Sequence, residues 1–226
     1  MSQNYKHPKR KTKVVFVQLG SPSEPTTKAL RKYLRKFLGD PRVVDINPWL
    51  WKIILNLFVL PFRPKKSAKL YARIWDGESF PLITNTRNFT KNVGEELKKI
   101  DPESYVEVNH AFLLSPPYVN EVYDSWENDL KKGIGATKLL VIPMFPQYSE
   151  STIASGIDAL AKELSKRVKI PTFEVITNFH RTHAFIDNSV SQVDSKLNEL
   201  TKQGKKIGNL IITFHGMQKR RIVYKG

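Results

Sequence analysis

Five short runs rich in β-branched residues recur along this chain with helix-length stretches between them: Val14 to Val17, Tyr105 to Val108, Leu139 to Ile142, Phe173 to Ile176 and Leu210 to Thr213. Strands that alternate with helical crossovers pair in parallel and cover both faces of their sheet, so the spacing predicts an α/β fold. Thr26 and Thr27 open a helix in which Leu30, Tyr33, Leu34, Phe37 and Leu38 recur at i, i+3 and i+4, a stripe expected to face the sheet until Gly39 and Pro41 stop it. A second helix is expected from Ser151 to Val168, with Ile153, Ile157, Leu160 and Leu164 inward and Pro171 closing it. A third is expected from His183 to Leu200.

The 226 residues are 40% hydrophobic, enough to bury a core. Cysteine is absent, which removes disulfides, thiolate nucleophiles, Cys-ligated zinc and iron–sulfur clusters together. The net charge of +16, from 37 Lys and Arg against 21 Asp and Glu, favours an acidic partner: nucleic acid, anionic lipid or a polycarboxylate small molecule. Residues 1–13 read as a basic, disordered arm and not as a secretory signal, because only six residues, Val14 to Leu19, follow it before the turn. The apolar stretch Trp49 to Phe62 is 14 residues long and carries Lys52 and Asn56, too short and interrupted to span a bilayer. Trp49, Ile53 and Leu57 share one helical face and Leu50, Ile54 and Phe58 lie beside it, which fits either a core helix or an apolar rim lying on a surface.

In open parallel sheets, ligands bind beyond the carboxyl ends of the strands. Three loops stand there. Leu19-Gly20-Ser21-Pro22 breaks the first strand and lets backbone approach a ligand. Pro143 to Thr152 brackets an aromatic residue with two prolines and sets Tyr148, Ser149, Ser151 and Thr152 ahead of a helix, as a polar rim or as N-caps. Thr213-Phe214-His215-Gly216-Met217 ends the last run and offers His215 either as a reactive imidazole or as a strand cap.

Six blocks in order resemble the ferrochelatase family over residues 14 to 217: Val17 to Pro22, Phe37-Leu38-Gly39-Asp40-Pro41-Arg42-Val43, Arg63 through Tyr71 to Ile74, Ser79 to Leu82, Pro143 to Thr152, and Phe214-His215-Gly216. The resemblance implies a chelatase-like α/β fold of two Rossmann-like halves with parallel sheets flanked by helices. After the arm, residues 14–150 form the first half with its hydrophobic lip, and residues 151–226 begin a second half that is incomplete in this chain. It also implies a lyase activity, the insertion of Fe²⁺ into protoporphyrin IX to give protoheme, with Fe²⁺ as substrate and no prosthetic group. His215 then accepts a pyrrole proton or hands over the metal, a task suited to an imidazole, which ordinarily titrates near about pH 6.5. Leu19 lies against the macrocycle, Arg63, Tyr71 and Ser79 meet the propionates, and Tyr148 and Ser149 complete the rim.

The lip Trp49 to Phe62 implies peripheral membrane contact for a cytoplasmic protein. Leu113 and Leu114 depart from the family, where many members carry arginine and tyrosine, and Phe145 and Phe179 stand where some carry Tyr and Trp near the proposed metal route. Two other readings stay open: an inactive fragment that only binds porphyrin, and a basic protein that binds nucleic acid or an anionic surface through Lys6 to Lys13, Lys202 to Lys206 and Lys219 to Lys225. No nucleic-acid module accompanies those clusters, so no specific nucleic-acid partner is expected.

Overall fold

The computed structural model describes residues 11–103 and 105–217. The basic runs at residues 6–10 and 219–225 lie outside them. Two compact units result, one ending at Thr177 and one starting at Asn178.

The first unit holds a four-stranded sheet of β1 (Thr12–Gln18), β2 (Val106–Phe112), β3 (Lys138–Pro143) and β4 (Thr172–Val175) in the order β2-β1-β3-β4. All three pairings are parallel, so every crossover is helical, as the alternation requires. The helices are α1 (Thr27–Leu38), α2 (Pro48–Ile54), α3 (Arg63–Tyr71), α4 (Pro81–Ile100), α5 (Val119–Lys131) and α6 (Ser155–Leu164). On one face of the sheet Val15, Val17, Ala111, Leu139 and Val141 pack with Val119, Tyr123 and Trp126 of α5 and Leu160 and Leu164 of α6. On the other face Phe16 meets Phe89 of α4 edge to face, ring centres 5.0 Å apart.

The second unit carries α7 (His183–Lys202), opened by Thr182, whose hydroxyl accepts the Phe185 N–H. Its apolar stripe, Ile186, Val190, Val193, Leu197 and Leu200, has no buried member.

The division into units falls at Thr177, because α6 packs on the first sheet and β4 pairs with β3. Three expectations are corrected here. Thr12 and Lys13 belong to β1 and not to an arm. Lys13 is 1% exposed, and its ammonium is neutralised by Glu107 at 2.9 Å and Asp129 at 4.0 Å. The α1 stripe does not simply face the sheet, since Tyr33, Leu34 and Leu38 pack with Leu55 and Leu60 from the lip. Finally, Leu210 to Thr213 forms no strand, and Leu210, Ile211 and Ile212 are 61, 80 and 71% exposed. A strand needs a ladder for its main-chain polar groups and a cover for its apolar face, and the described residues of the second unit contain no other strand to supply either.

Candidate functional site

The strand order reverses between β1 and β3, for β1 connects outward to β2 while β3 connects outward to β4. In open α/β sheets such a reversal marks a crevice at the carboxyl ends of the two strands. The first wall is the turn after β1. Gly20 has φ +91°, and a Cβ there would run into the Ser115 hydroxyl and come within 3.0 Å of Phe112 Cβ, so only glycine fits. Its neighbours are tethered on several sides. Leu114 N–H donates to the Leu19 carbonyl at 3.0 Å, Leu19 N–H donates to Gln18 Oε1 at 2.8 Å, and Ser21 N–H donates to Ser115 Oγ at 3.3 Å. The Tyr33 hydroxyl reaches across from α1 to donate to the Gly20 carbonyl at 3.3 Å. Leu19 itself is half-buried.

The second wall follows β3. Met144 N–H donates to the Val17 carbonyl at 2.8 Å, carrying the β1 ladder into the loop. Tyr148 is 42% exposed. Ser149 sits at the N-cap of a π turn, Glu150–Ala154, that runs into α6. Its hydroxyl makes no capping bond to backbone and instead shares a 2.6 Å hydrogen bond with Thr152 Oγ1. Beside this loop Arg42 forms a two-pronged pair with Asp158, at 2.8 and 3.0 Å, which ties the segment after α1 to α6.

The lip has two faces. Leu55 and Leu60 are 5 and 2% exposed, while Trp49, Leu50, Ile53, Leu57, Phe58 and Phe62 stand between 53 and 77% exposed. Three anchors hold it in this pose: Asn47 Oδ1 caps α2, Trp51 Nε1 donates to the Leu38 carbonyl at 2.6 Å, and Arg31 Nε donates to the Leu60 carbonyl at 3.2 Å. Leu114 joins lip to turn, since its side chain packs with the Leu55 and Leu60 cluster and its N–H holds Leu19.

Arg63 is exposed at the first position of α3, and Tyr71 ends the same helix, about 12 Å away at 1.5 Å per residue. The Tyr71 ring lies 5.4 Å from Phe80 and 6.2 Å from Tyr33. The Tyr33 phenol is pushed above its ordinary range, chiefly by burial and then by Tyr71. Ser79 precedes Phe80 in a turn closed by Asp76, whose carboxylate accepts the Glu78 and Ser79 N–H groups and is thereby held below the usual carboxylate range. Tyr71 therefore lies against Phe80, the residue that follows Ser79, while Arg63 stands at the other end of α3. His215 lies in the second unit, exposed and outside any helix or strand.

Charge concentrates on one stretch. Residues 27–74 carry twelve Lys and Arg against Asp40 and Asp45 only, a net of +10 out of the chain's +16. Among the described residues no group of three or more His, Asp or Glu stands ready to hold a metal ion, and no helix is long and apolar enough to cross a membrane.

The ferrochelatase family model matches residues 11–226. This chain belongs to the ferrochelatase family. It is 37% identical over 207 residues to a ferrochelatase of Idiomarina loihiensis, covering 92% of this chain and 54% of that one. A ferrochelatase of Marinobacter nauticus is 36% identical over 95% of this chain and 55% of its own length, and a coproporphyrin III ferrochelatase of Streptococcus mutans 35% identical over 95% and 62%. The chain thus spans little more than half the length of the relatives it matches.

Sequence reasoning missed Tyr33, Trp51 and the Arg42–Asp158 pair as parts of this site. A signal existed for Tyr33: a phenol inside an aliphatic stripe needs a hydrogen-bond partner, and the partner is the Gly20 carbonyl. No pattern in the chain announces that Arg42 meets Asp158, 116 residues away.

Proposed function

We propose that this chain acts in Fe²⁺ insertion into protoporphyrin IX, with the macrocycle held in the β1–β3 crevice of the first unit. The observation that carries the reading is the rigid Leu19–Gly20 turn joined through Leu114 to an apolar lip, within a stretch of net charge +10. A flat apolar ring bearing carboxylates matches apolar walls with cations at their edge. Arg63 takes one propionate. Tyr71 and Ser79 take the other, and Tyr148 and Ser149 line the rim. Insertion forms four N–Fe bonds and releases two pyrrole protons with no change of oxidation state, so the protein must supply a proton acceptor and not a redox group. His215 is that acceptor, or the group that passes the metal inward. The exposed lip residues, with the basic side chains of α1 and α3, favour peripheral attachment to a membrane in the cytoplasm.

Two finer questions remain inside this proposal. The Streptococcus mutans relative is named for coproporphyrin III, so the acceptor porphyrin of this chain is to be read by experiment. The exposed, unladdered segment around His215 favours a second reading, a chain that binds porphyrin without metallating it.

Fluorescence titration with protoporphyrin IX, coproporphyrin III and a fully esterified porphyrin tests the binding step. Saturable quenching by the free acids, weakened roughly tenfold in Arg63→Ala, is the expected result, a charge-assisted contact being worth about that factor. Equal affinity for the ester would overturn the propionate assignment. For catalysis, His215→Ala is expected to keep porphyrin affinity and lose insertion. Insertion by that variant at the parental rate would remove His215 from the chemistry, and no insertion by either protein would leave the binding-only reading.

A further inference from the structure

The outer edge of β2 is open. Thr12 N–H donates to the Tyr105 carbonyl and Leu113 N–H to the Gln18 carbonyl, so the ladder to β1 uses the main-chain groups of the odd-numbered residues of β2. Those of Val108 and His110 consequently face away from the sheet. They open into a groove of about 440 Å³ between α4 and α5. From α4 the groove receives Arg87 and Lys91, which stand four residues apart on one helical face. From α5 it receives Ser125 and Glu121, whose carboxylate is already bonded to the Tyr118 N–H at 2.8 Å. Lys13 lines the floor with its charge matched by Glu107.

One group there lacks what it needs. Arg87 has no acidic partner within ion-pair distance among the described residues. We propose that this groove binds a small oxyanion, a phosphate or a carboxylate, through Arg87, Lys91 and the outward main-chain N–H groups of Val108 and His110. The site is independent of porphyrin binding. An unpaired guanidinium, a nearby ammonium and outward amides form a donor set that an oxyanion satisfies and a cation does not. His110, partly buried beside Phe112, reports occupancy: burial, and after it the Arg87 charge, lower its pKa, and a bound anion reverses the second of these effects.

The test follows the His110 Cε1–H resonance by NMR while inorganic phosphate or citrate is added at constant ionic strength, with His180 and His183 of the second unit as references in the same spectrum. A saturable shift confined to His110, with its titration moved to higher pH, is the expected result. Arg87→Ala, an exposed position whose loss leaves the core intact, should weaken that saturation by about tenfold, and Lys91→Ala by less. Tighter binding of phosphate assigns the site to phosphoryl ligands, and tighter binding of citrate to carboxylates. A His110 response that is linear in anion concentration, equal to that of His180 and His183, or unchanged in Arg87→Ala would overturn the proposal.

Discussion

The lip around Trp49 and the run Leu210 to Phe214 are both short, strongly apolar and rich in large side chains, yet the fold treats them differently. The lip turns Leu55 and Leu60 into a core with Tyr33, Leu34 and Leu38, and its outward residues are displayed on a frame held by Asn47, Trp51 and Arg31. In the second run Leu210, Ile211, Ile212 and Phe214 are all more than 60% exposed, and no described strand of that unit pairs with them. Exposed apolar surface is thus two different things in one chain. In the first unit it is a surface presented by a packed scaffold, the arrangement a ligand or membrane requires. In the second it is a segment whose partners the described residues of its own unit do not contain. On the proposed reading, porphyrin holding and proton handling would fall to parts of the chain with very different structural support.

The largest expected effect separates the two. Gly20→Val puts a branched side chain at φ +91°, where it meets Ser115 and Phe112, and should destabilise the first unit by about 3 kcal/mol or more while abolishing porphyrin quenching. Ile212→Ala, at a 71% exposed position, should change stability by no more than about 0.5 kcal/mol. Urea denaturation of both variants gives the comparison. Equal losses would mean that Leu210 to Phe214 is packed in solution and that the contrast between the units is false.

Much of the first unit was legible beforehand because its cues are local. The four strands, the Thr26 cap and the stop at Gly39 each follow from residue types within one or two turns of chain. The failures share a cause of another kind. Leu210 to Thr213 has every local property of a strand, but pairing is a property of two segments, and β-propensity describes only one of them. Likewise the α1 stripe has helical spacing without an address, and only the fold reveals that Leu55 and Leu60 stand between part of it and the sheet. At the candidate site, Tyr148 and Ser149 could be named as a polar rim because a strand end is visible in a sequence, whereas the place of Leu19 came from the family resemblance. The partner of the Tyr33 phenol and the Arg42–Asp158 pair could not be named, since each acts on a residue from another element.

A smaller effect tests whether the scaffold positions the turn or merely encloses it. Tyr33→Phe keeps the buried ring and removes the hydrogen bond to the Gly20 carbonyl, leaving that acceptor without this donor. A loss of about 1 kcal/mol in stability is expected, with weaker porphyrin quenching and an unchanged far-ultraviolet spectrum. Stability lost without any change in porphyrin affinity would show that the hydroxyl supports the core and not the crevice.

The smallest effect uses a titrating group inside the packed unit. Burial, and then the charge of Arg87, hold the His110 pKa below its ordinary value. Between that depressed pKa and the ordinary value near about 6.5, the unfolded chain binds more protons at this position than the native one. Stability from His110 is therefore complete above about pH 6.5 and is lost as the pH falls through the folded pKa. His110→Gln cannot titrate and should flatten this part of the profile, so that the parent and variant urea midpoints, measured without phosphate or citrate, converge or cross as the pH is lowered. Arg87→Ala should reduce the slope only in part, because burial is the larger cause. A parent profile with the same slope as His110→Gln would show that this edge of the first unit is open to water on the timescale of titration, and the contrast between a packed first unit and an exposed second would then stop short of β2.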